Sequence, residues 1–235
     1  MVREYSPLQA ASALLIIPLG VGAGTALAPP ALARIGARIP GAAGLAAMAI
    51  GFALLAYAIG AVNTDGALLR WWLPATGLLF FGFGFGLAIT PGTVLIIDGL
   101  PADRRSVASA VNDITREVGG VLGIAVLSSI LISIYQDDIA SSLTALPAQL
   151  QAPALDGAAA AVAIAAGLGP EGAALAEAAR ASFATGLSAA LWVGAGVLSV
   201  AAAACGALAP GRSSSDQFPA VPTSSKTYEH SQELT

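Results

Sequence analysis

Charged side chains are scarce in this sequence. Only 10% of the 235 residues are charged, whereas 56% are hydrophobic, and the mean hydropathy is +0.78. Soluble domains carry roughly 25% charged residues, so this chain has too few to cover a globule with polar surface. The composition excludes an ordinary soluble domain and predicts an integral membrane protein.

Cysteine and histidine are nearly absent, with one of each, Cys205 and His230. A single cysteine excludes a disulfide within the chain, and no thiol metal site is indicated. The sequence also has no Ser/His/Asp constellation and no nucleotide-binding loop. We therefore predict no enzyme activity, no cofactor and no metal. The net charge of −4 is spread over loops and tail, which predicts no nucleic-acid partner.

Long stretches without any charge are what the chain has instead. They cover residues 5–33, 39–64, 71–97, 118–136 and 181–211. About 20 apolar residues span the hydrocarbon core of a bilayer, and barrel strands would be shorter and alternate in polarity. We predict an all-α fold in which residues 1–209 form one transmembrane domain. Its five helices are expected at about 8–29, 41–62, 72–97, 107–135 and 183–208.

The polar segments complete the predicted topology. Residues 137–180 are expected to form a long outer loop, in which the apolar residues 157–168 are too short to span a membrane and are expected to form a loop helix. Residues 210–235 are expected to form a disordered cytoplasmic tail. An N-terminus outside the cell places six Lys and Arg residues in cytoplasmic segments and three in outer ones. The positive-inside rule then favours the plasma membrane with the N-terminus outside and the C-terminus in the cytoplasm.

Two predicted helices carry small residues at spacings typical of helix packing. Gly20 and Gly24 follow Pro18 in the first helix, and this spacing lets a second helix approach closely. The third helix contains Phe-Gly-Phe-Gly-Phe-Gly at residues 81–86 and then Pro91. We interpret Gly82, Gly86 and Pro91 as a packing or hinge segment, because a phosphate-binding loop needs a preceding strand.

The fourth predicted helix carries a polar stripe. Helical spacing places Ser109, Asn112, Asp113, Arg116, Glu117 and Gly120 on one face. Charges inside a bilayer are costly and face a cavity or one another, which predicts a polar pathway. The alternative is an amphipathic surface segment over residues 106–117, with only residues 118–135 crossing. Gly119, Gly120 and Gly123 offer a further close-packing face.

Three stretches resemble the C-terminal half of major facilitator superfamily transporters, closest to the fourteen-helix EmrB/QacA-type drug-resistance group. They are YSPLQA at 5–10 with LIIP at 15–18, the run Arg34-Ile35-Gly36-Ala37-Arg38, and the set Asn112, Arg116, Gly119, Gly120 and Gly123. The second is similar to the end of the family's cytoplasmic loop motif, although the usual preceding glycine and aspartate are missing. The third is similar to the penultimate helix, which helps line the central cavity.

The resemblance implies a two-half bundle that binds substrate between its halves and alternates its access. The chain then corresponds to the last five helices, and the family's acidic proton-coupling residues lie in the half it lacks. We expect a truncated or split proton-coupled exporter of drugs or other small molecules. Asn112 and Arg116 would line the substrate path, with Asp113 and Glu117 beside them in a local charge network. Arg34, Gly36 and Arg38 would form the cytoplasmic turn.

Partners follow from this expectation. The chain would contact the lipid bilayer, a small-molecule substrate, and a chain or copy that supplies the missing helices. The rival hypotheses are a non-transporting membrane subunit, whose polar stripe is a helix–helix contact, and a fragment without function.

Overall fold

The computed structural model describes residues 15–60, 67–98, 105–144 and 146–209, and almost all of them are helical. Five helices in these ranges are long and apolar enough to cross a membrane. The prediction of an all-α membrane protein is confirmed. In chain order the helices are α1 (Ile16–Ile35), α2 (Arg38–Gly60), α3 (Ala67–Asp98), α4 (Arg105–Leu143), α5 (Ala148–Leu155), α6 (Ala158–Gly167) and α7 (Ala173–Leu208), with a 3-10 turn at Gly169–Gly172 before α7.

The five long helices pack in an order different from their order in the chain. Helix α3 lies between α1 and α2, α2 lies against α7 on its other side, and α7 lies against α4. The order across the bundle is therefore α1, α3, α2, α7, α4. Helices α1 and α4 are the two ends of this row.

Glycines bring the first three helices into backbone contact. A Cβ on Gly20 would lie 2.7 Å from the carbonyl oxygen of Leu79 in α3, and one on Gly51 in α2 would lie 2.6 Å from the Phe81 nitrogen. Such distances leave no room for a side chain. In a membrane, where lipid is as apolar as leucine, this close backbone packing is a main source of helix association.

Helices α2 and α7 run antiparallel and are fixed in register at both ends. The Arg38 Nε donates to the carbonyl oxygen of Gly206 at 2.5 Å, and the Ser188 hydroxyl donates to that of Ala56 at 2.9 Å. Eighteen residues separate Ser188 from Gly206, which is about 27 Å of helix at 1.5 Å per residue. This length matches the hydrocarbon core of a bilayer.

Helices α4 and α7 continue well past the end of α2. Helix α4 meets α7 where Gly186 packs against the Leu131 carbonyl. Beyond this level, the end of α4 and the start of α7 join α5, α6 and the 3-10 turn in what we call the head. It has its own apolar core, made of Tyr135, Ile139, Leu143, Ala154, Ala161, Ala165, Leu175 and Ala179.

The observed helix bounds differ most from the predicted ones in residues 137–180, which we predicted as an outer loop. Helix α4 runs to Leu143, α5 and α6 follow, and α7 already begins at Ala173. Polar residues such as Asp137 and Asp138 mark the end of an apolar stretch but do not stop a helix. Pro147, which directly precedes α5, is the first proline after α4 and lacks a backbone N–H.

The first helix also ends later than expected. Within the described residues α1 begins at Ile16 and runs through Pro29 and Pro30 to Ile35. Pro18 lies in its first described turn. Residues 8–14 of the predicted helix and the predicted tail at 210–235 lie outside the described residues.

Candidate functional site

The polar stripe lies on one continuous helix. Helix α4 runs unbroken from Arg105 to Leu143 and contains Asn112, Asp113, Arg116 and Glu117. Asn112 is half-buried, whereas the three charged side chains are exposed. Within α4 there is thus no break between residues 106–117 and 118–135, where the amphipathic alternative divided the segment.

The stripe shares a face with the residues that hold α4 to α7. Leu127 contacts Gly194, and the Leu131 carbonyl contacts Gly186. Counting back from Leu131 in steps of three and four residues leads to Gly123, Arg116 and Asn112, which lie on the same side of an ideal helix. The stripe therefore points toward the side of the bundle rather than away from it.

Contact with the bundle is nevertheless lost along the first half of α4. Every described side chain from Asp113 to Val126 is exposed. A Cβ on Gly119, Gly120 or Gly123 would meet nothing within 4 Å, so the described part of the chain supplies no neighbour for these glycines. Their role as a close-packing face stays a prediction that requires a helix from elsewhere.

The opposite face of this half is apolar and equally uncovered. Its exposed side chains are Val111, Ile114, Val118, Val121 and Leu122. Such a surface is compatible with lipid, whereas the polar stripe is not. The apolar face of this half of α4 can therefore contact lipid, whereas the polar stripe requires water or other polar groups.

The helical register gives the position of Arg116 along the bundle. It lies fifteen residues before Leu131, or about 22 Å of helix. The level of Gly206, at the other end of α7, is about 30 Å from that of Leu131 and Gly186. By this contact Arg116 is expected about 8 Å from the Arg38 end of the bundle, and by the contact of Leu127 with Gly194 about 2 Å from that end.

The turn between α1 and α2 uses the predicted loop residues in distinct ways. Gly36 has a φ of 74°, a conformation that only glycine adopts without strain, and its N–H donates to the Leu32 carbonyl at 3.0 Å. Arg34 lies in the last turn of α1, where a cation interacts favourably with the helix dipole. Arg38 hydrogen-bonds the last turn of α7. The loop residues therefore connect three helices at one end of the bundle.

The glycine segment of α3 has two contact faces. Gly82 and Gly86 pack on the α1 backbone at Ile17 and Val21, whereas Gly84 between them packs on α2 at Gly44. Glycines two residues apart point to opposite sides of a helix, and α3 has a neighbour on each side. Pro91 is fully buried in the same helix.

Sequence reasoning did not single out the α2 side of this contact. Gly44 and Gly51 in α2, together with Gly77 and Gly84 in α3, were not among the predicted packing residues. The seven-residue spacing of the two α2 glycines, which places them on one face, was the available signal.

The described residues contain no group of three or more His, Cys, Asp or Glu side chains that could hold a metal ion. Cys205 is half-buried, with its sulfur 4.0 Å from the Arg38 carbonyl oxygen. It is part of the contact between α2 and α7.

No protein-family model matches the chain. Several curated proteins do. The multidrug resistance protein Stp of Mycobacterium tuberculosis is 33% identical over 134 residues, which is 55% of this chain and 23% of Stp. The drug efflux pump JefA of the same species is 32% identical over 130 residues, 55% of this chain and 24% of JefA. The names of these two relatives state multidrug resistance and drug efflux.

A third relative widens this group to another genus. The methyl viologen resistance protein SmvA of Salmonella typhimurium is 29% identical over 152 residues, 64% of this chain and 28% of SmvA. The chain spans about a quarter of the length of these relatives. Kinship with drug-resistance transporters and five apolar helices identify a multi-pass membrane protein related to transporters rather than to enzymes.

Proposed function

We propose that these five helices are part of an exporter of drugs or other small molecules, of the EmrB/QacA type in the major facilitator superfamily, located in the plasma membrane. The observation that carries the proposal is the identity with Stp and JefA, whose names state drug resistance and drug efflux. The five membrane-length helices agree with it.

Within this exporter the polar stripe of α4 lines the substrate path. The helical register supports a position for Arg116 toward the Arg38 end of the bundle, and an uncompensated charge that enters the apolar core of a bilayer is costly. The stripe is on the α7 side of α4, and the first half of α4 there has exposed side chains without a neighbouring described helix. A water-filled path beside this stripe would solvate Arg116, Asp113 and Glu117 while Asn112 offers hydrogen bonds to a substrate.

Transport requires more helices than these five. An alternating-access path lies between two structural units, and the chain spans about a quarter of its relatives' length. We propose that further helices, on the same or on another polypeptide, pack beside the exposed half of α4. We assign proton coupling to those helices and leave Asp113 and Glu117 a local electrostatic role.

A second function fits the same stripe. Open space at Gly119, Gly120 and Gly123 is the geometry that small residues provide for a close helix–helix contact. A non-transporting membrane subunit would use the stripe only to hold its partner. Such a subunit would assemble stably without producing any flux.

The Arg116→Ala variant of the assembled transporter distinguishes these functions. Efflux of a fluorescent drug from cells or proteoliposomes should fall at least tenfold, while the amount of inserted protein is unchanged, because the path loses its only cation in the middle of α4. Leu122→Ala, on the apolar face of the same helix, is the matched control and should transport normally. Wild-type efflux from Arg116→Ala would contradict the proposed path. The subunit function would be favoured if the wild-type protein produces no flux and Arg116→Ala no longer assembles with its partner.

A further inference from the structure

The head contains an apolar cavity that the transport path does not use. It has a volume of about 380 Å³ and lies between the end of α4, the start of α6 and α7. This volume falls in the range of ligand pockets, roughly 300–1,000 Å³. Its walls include Leu131, Ile132, Tyr135, Val162 and Phe183.

Among the described residues of the wall, the one polar side chain apart from Arg180 is that of Tyr135. The Tyr135 hydroxyl donates to the Ala154 carbonyl oxygen at 2.9 Å. Because the hydroxyl already has this partner, the tyrosine contributes the apolar surface of its ring to the wall. Helix α6 contributes alanine and valine and has no charged residue along its length. A cavity with such a lining favours a hydrocarbon chain over water.

Arg180 is the one charged side chain that the described residues place at this cavity. It is exposed, so its guanidinium is accessible while its aliphatic part lines the wall. Asp156 and Glu177 are nearby in the sequence but are not part of the lining. Arg180 contributes only its aliphatic part to this lining, and it also borders a neighbouring cavity that Glu177 lines. An apolar interior with a guanidinium within reach of its rim complements an anionic amphiphile.

A bilayer core of about 30 Å that begins at the level of Gly206 would end near Gly186, which would place the cavity at the bilayer surface. Leu131 contacts Gly186, two residues before Ser188, whose hydroxyl bonds the Ala56 carbonyl of α2. Lipid headgroups are the molecules present at this level. We propose that the cavity binds an acyl chain of an anionic membrane phospholipid from the leaflet on the head side, with Arg180 pairing with its phosphate.

The test uses the full chain in phosphatidylcholine vesicles that contain a phosphatidylglycerol with a photoreactive group on one acyl chain. After irradiation, labelled residues are mapped by mass spectrometry. We expect labels concentrated at Ile132, Val162 and Phe183. Equal labelling of the lipid-facing side of α2, or cross-links from the cavity to a second protein chain in place of lipid, would overturn the proposal.

Two glycines of the head provide a matched pair of variants. A Cβ on Gly157 or on Gly167 would meet nothing within 4 Å, but only Gly157 lines the cavity. Gly157→Phe should fill the cavity and lower labelling there several-fold, whereas Gly167→Phe should leave it unchanged. Should Gly157→Phe fail to fold, Ala159→Phe tests the same point from another lining position. Unchanged labelling in a folded cavity variant contradicts an acyl-chain site.

The headgroup contact is tested separately with Arg180→Gln. The ratio of phosphatidylglycerol to phosphatidylcholine labelling should fall about fivefold, the effect of one basic residue near anionic lipid. Glu177→Gln, one turn away on the same helix, is the control and should not lower the ratio. An unchanged ratio in Arg180→Gln would refute the phosphate contact.

Discussion

Single glycine positions set how closely α1 and α3 approach. A Cβ on Gly24 would lie 2.8 Å from the Leu87 nitrogen and closer still to the Phe83 carbonyl oxygen, whereas one on Gly22 would meet nothing within 4 Å. Both residues lie in the middle of α1, two positions apart. They share the intrinsic helix propensity of glycine, so a difference between their variants reports contact alone.

We expect Gly24→Ala to destabilise the protein by about 2 kcal/mol, because backbone atoms on both sides must separate to admit the methyl group. Gly22→Ala should be neutral or slightly stabilising, since alanine is the better helix former. Reversible unfolding of both variants in mixed detergent micelles measures the difference. Equal stability of the two variants would show that α1 and α3 do not pack through Gly24.

Individual residues also show what could and could not be predicted from the sequence. The spacing of Gly20 and Gly24 indicated a packing face, and α3 packs on that face. The sequence did not indicate which helix would be the partner, because an almost uncharged apolar helix such as α2 carries no pattern that distinguishes one neighbour from another. Arg38 was assigned to the cytoplasmic turn from its motif, yet its acceptor, Gly206, is 168 residues away.

At the scale of elements, α4 consists of two halves with different surroundings. Its second half packs on α7 and forms the core of the head, and its first half has exposed side chains on every face. The sequence showed the stripe through its spacing. Depth was not predictable from the sequence, because it depends on the level at which α4 meets α7.

The register now predicts the depth profile of α4. If the bilayer core extends about 30 Å from the level of Leu131, its centre lies ten residues earlier, near Val121. A span limited to residues 118–135 would instead be centred near residue 126. Nitroxide labels on the exposed apolar face, at Ile114, Val118, Val121 and Ala125 in a Cys205→Ser background, report oxygen accessibility.

Oxygen accessibility in this series should peak at Val121 and fall at Ile114, because oxygen concentrates at the centre of a bilayer. A maximum at Ala125 would place Arg116 at the membrane surface and remove the argument for a path beside it. The label at Ala125 is thus the control on the same face of the helix.

The head is the element that the sequence analysis described least well. Charge and proline content suggested a loop over residues 137–180. These features indicate where an apolar span ends, but they do not show where helical structure ends. Its core depends on small residues such as Ala154, Ala161 and Ala165, which carry no strong hydrophobic signal. Tyr135 closes this core through its hydrogen bond to Ala154.

The molecule as a whole has two chemically different ends. One end contains the α1–α2 turn with Arg34 and Arg38, and the other contains the head, whose described residues include several carboxylates such as Asp137, Asp156 and Glu171. The antiparallel contact of α2 and α7 separates the two ends by about 27 Å. The positive-inside rule counts Lys and Arg and gives carboxylates little weight, so it predicts that the end with Arg34 and Arg38 faces the cytoplasm.

This asymmetry predicts the orientation of the chain in the cell. In a Cys205→Ser background, a cysteine in place of exposed Asp156 in the head should react with a membrane-impermeant maleimide on intact cells. A cysteine in place of exposed Ala33, next to the basic turn, should react only after the cells are permeabilised. Since both positions are exposed, access across the membrane is what separates them. The reverse pattern would put the head in the cytoplasm, so that Arg180 would meet lipids of the inner leaflet and the stripe of α4 would approach the opposite side of the membrane.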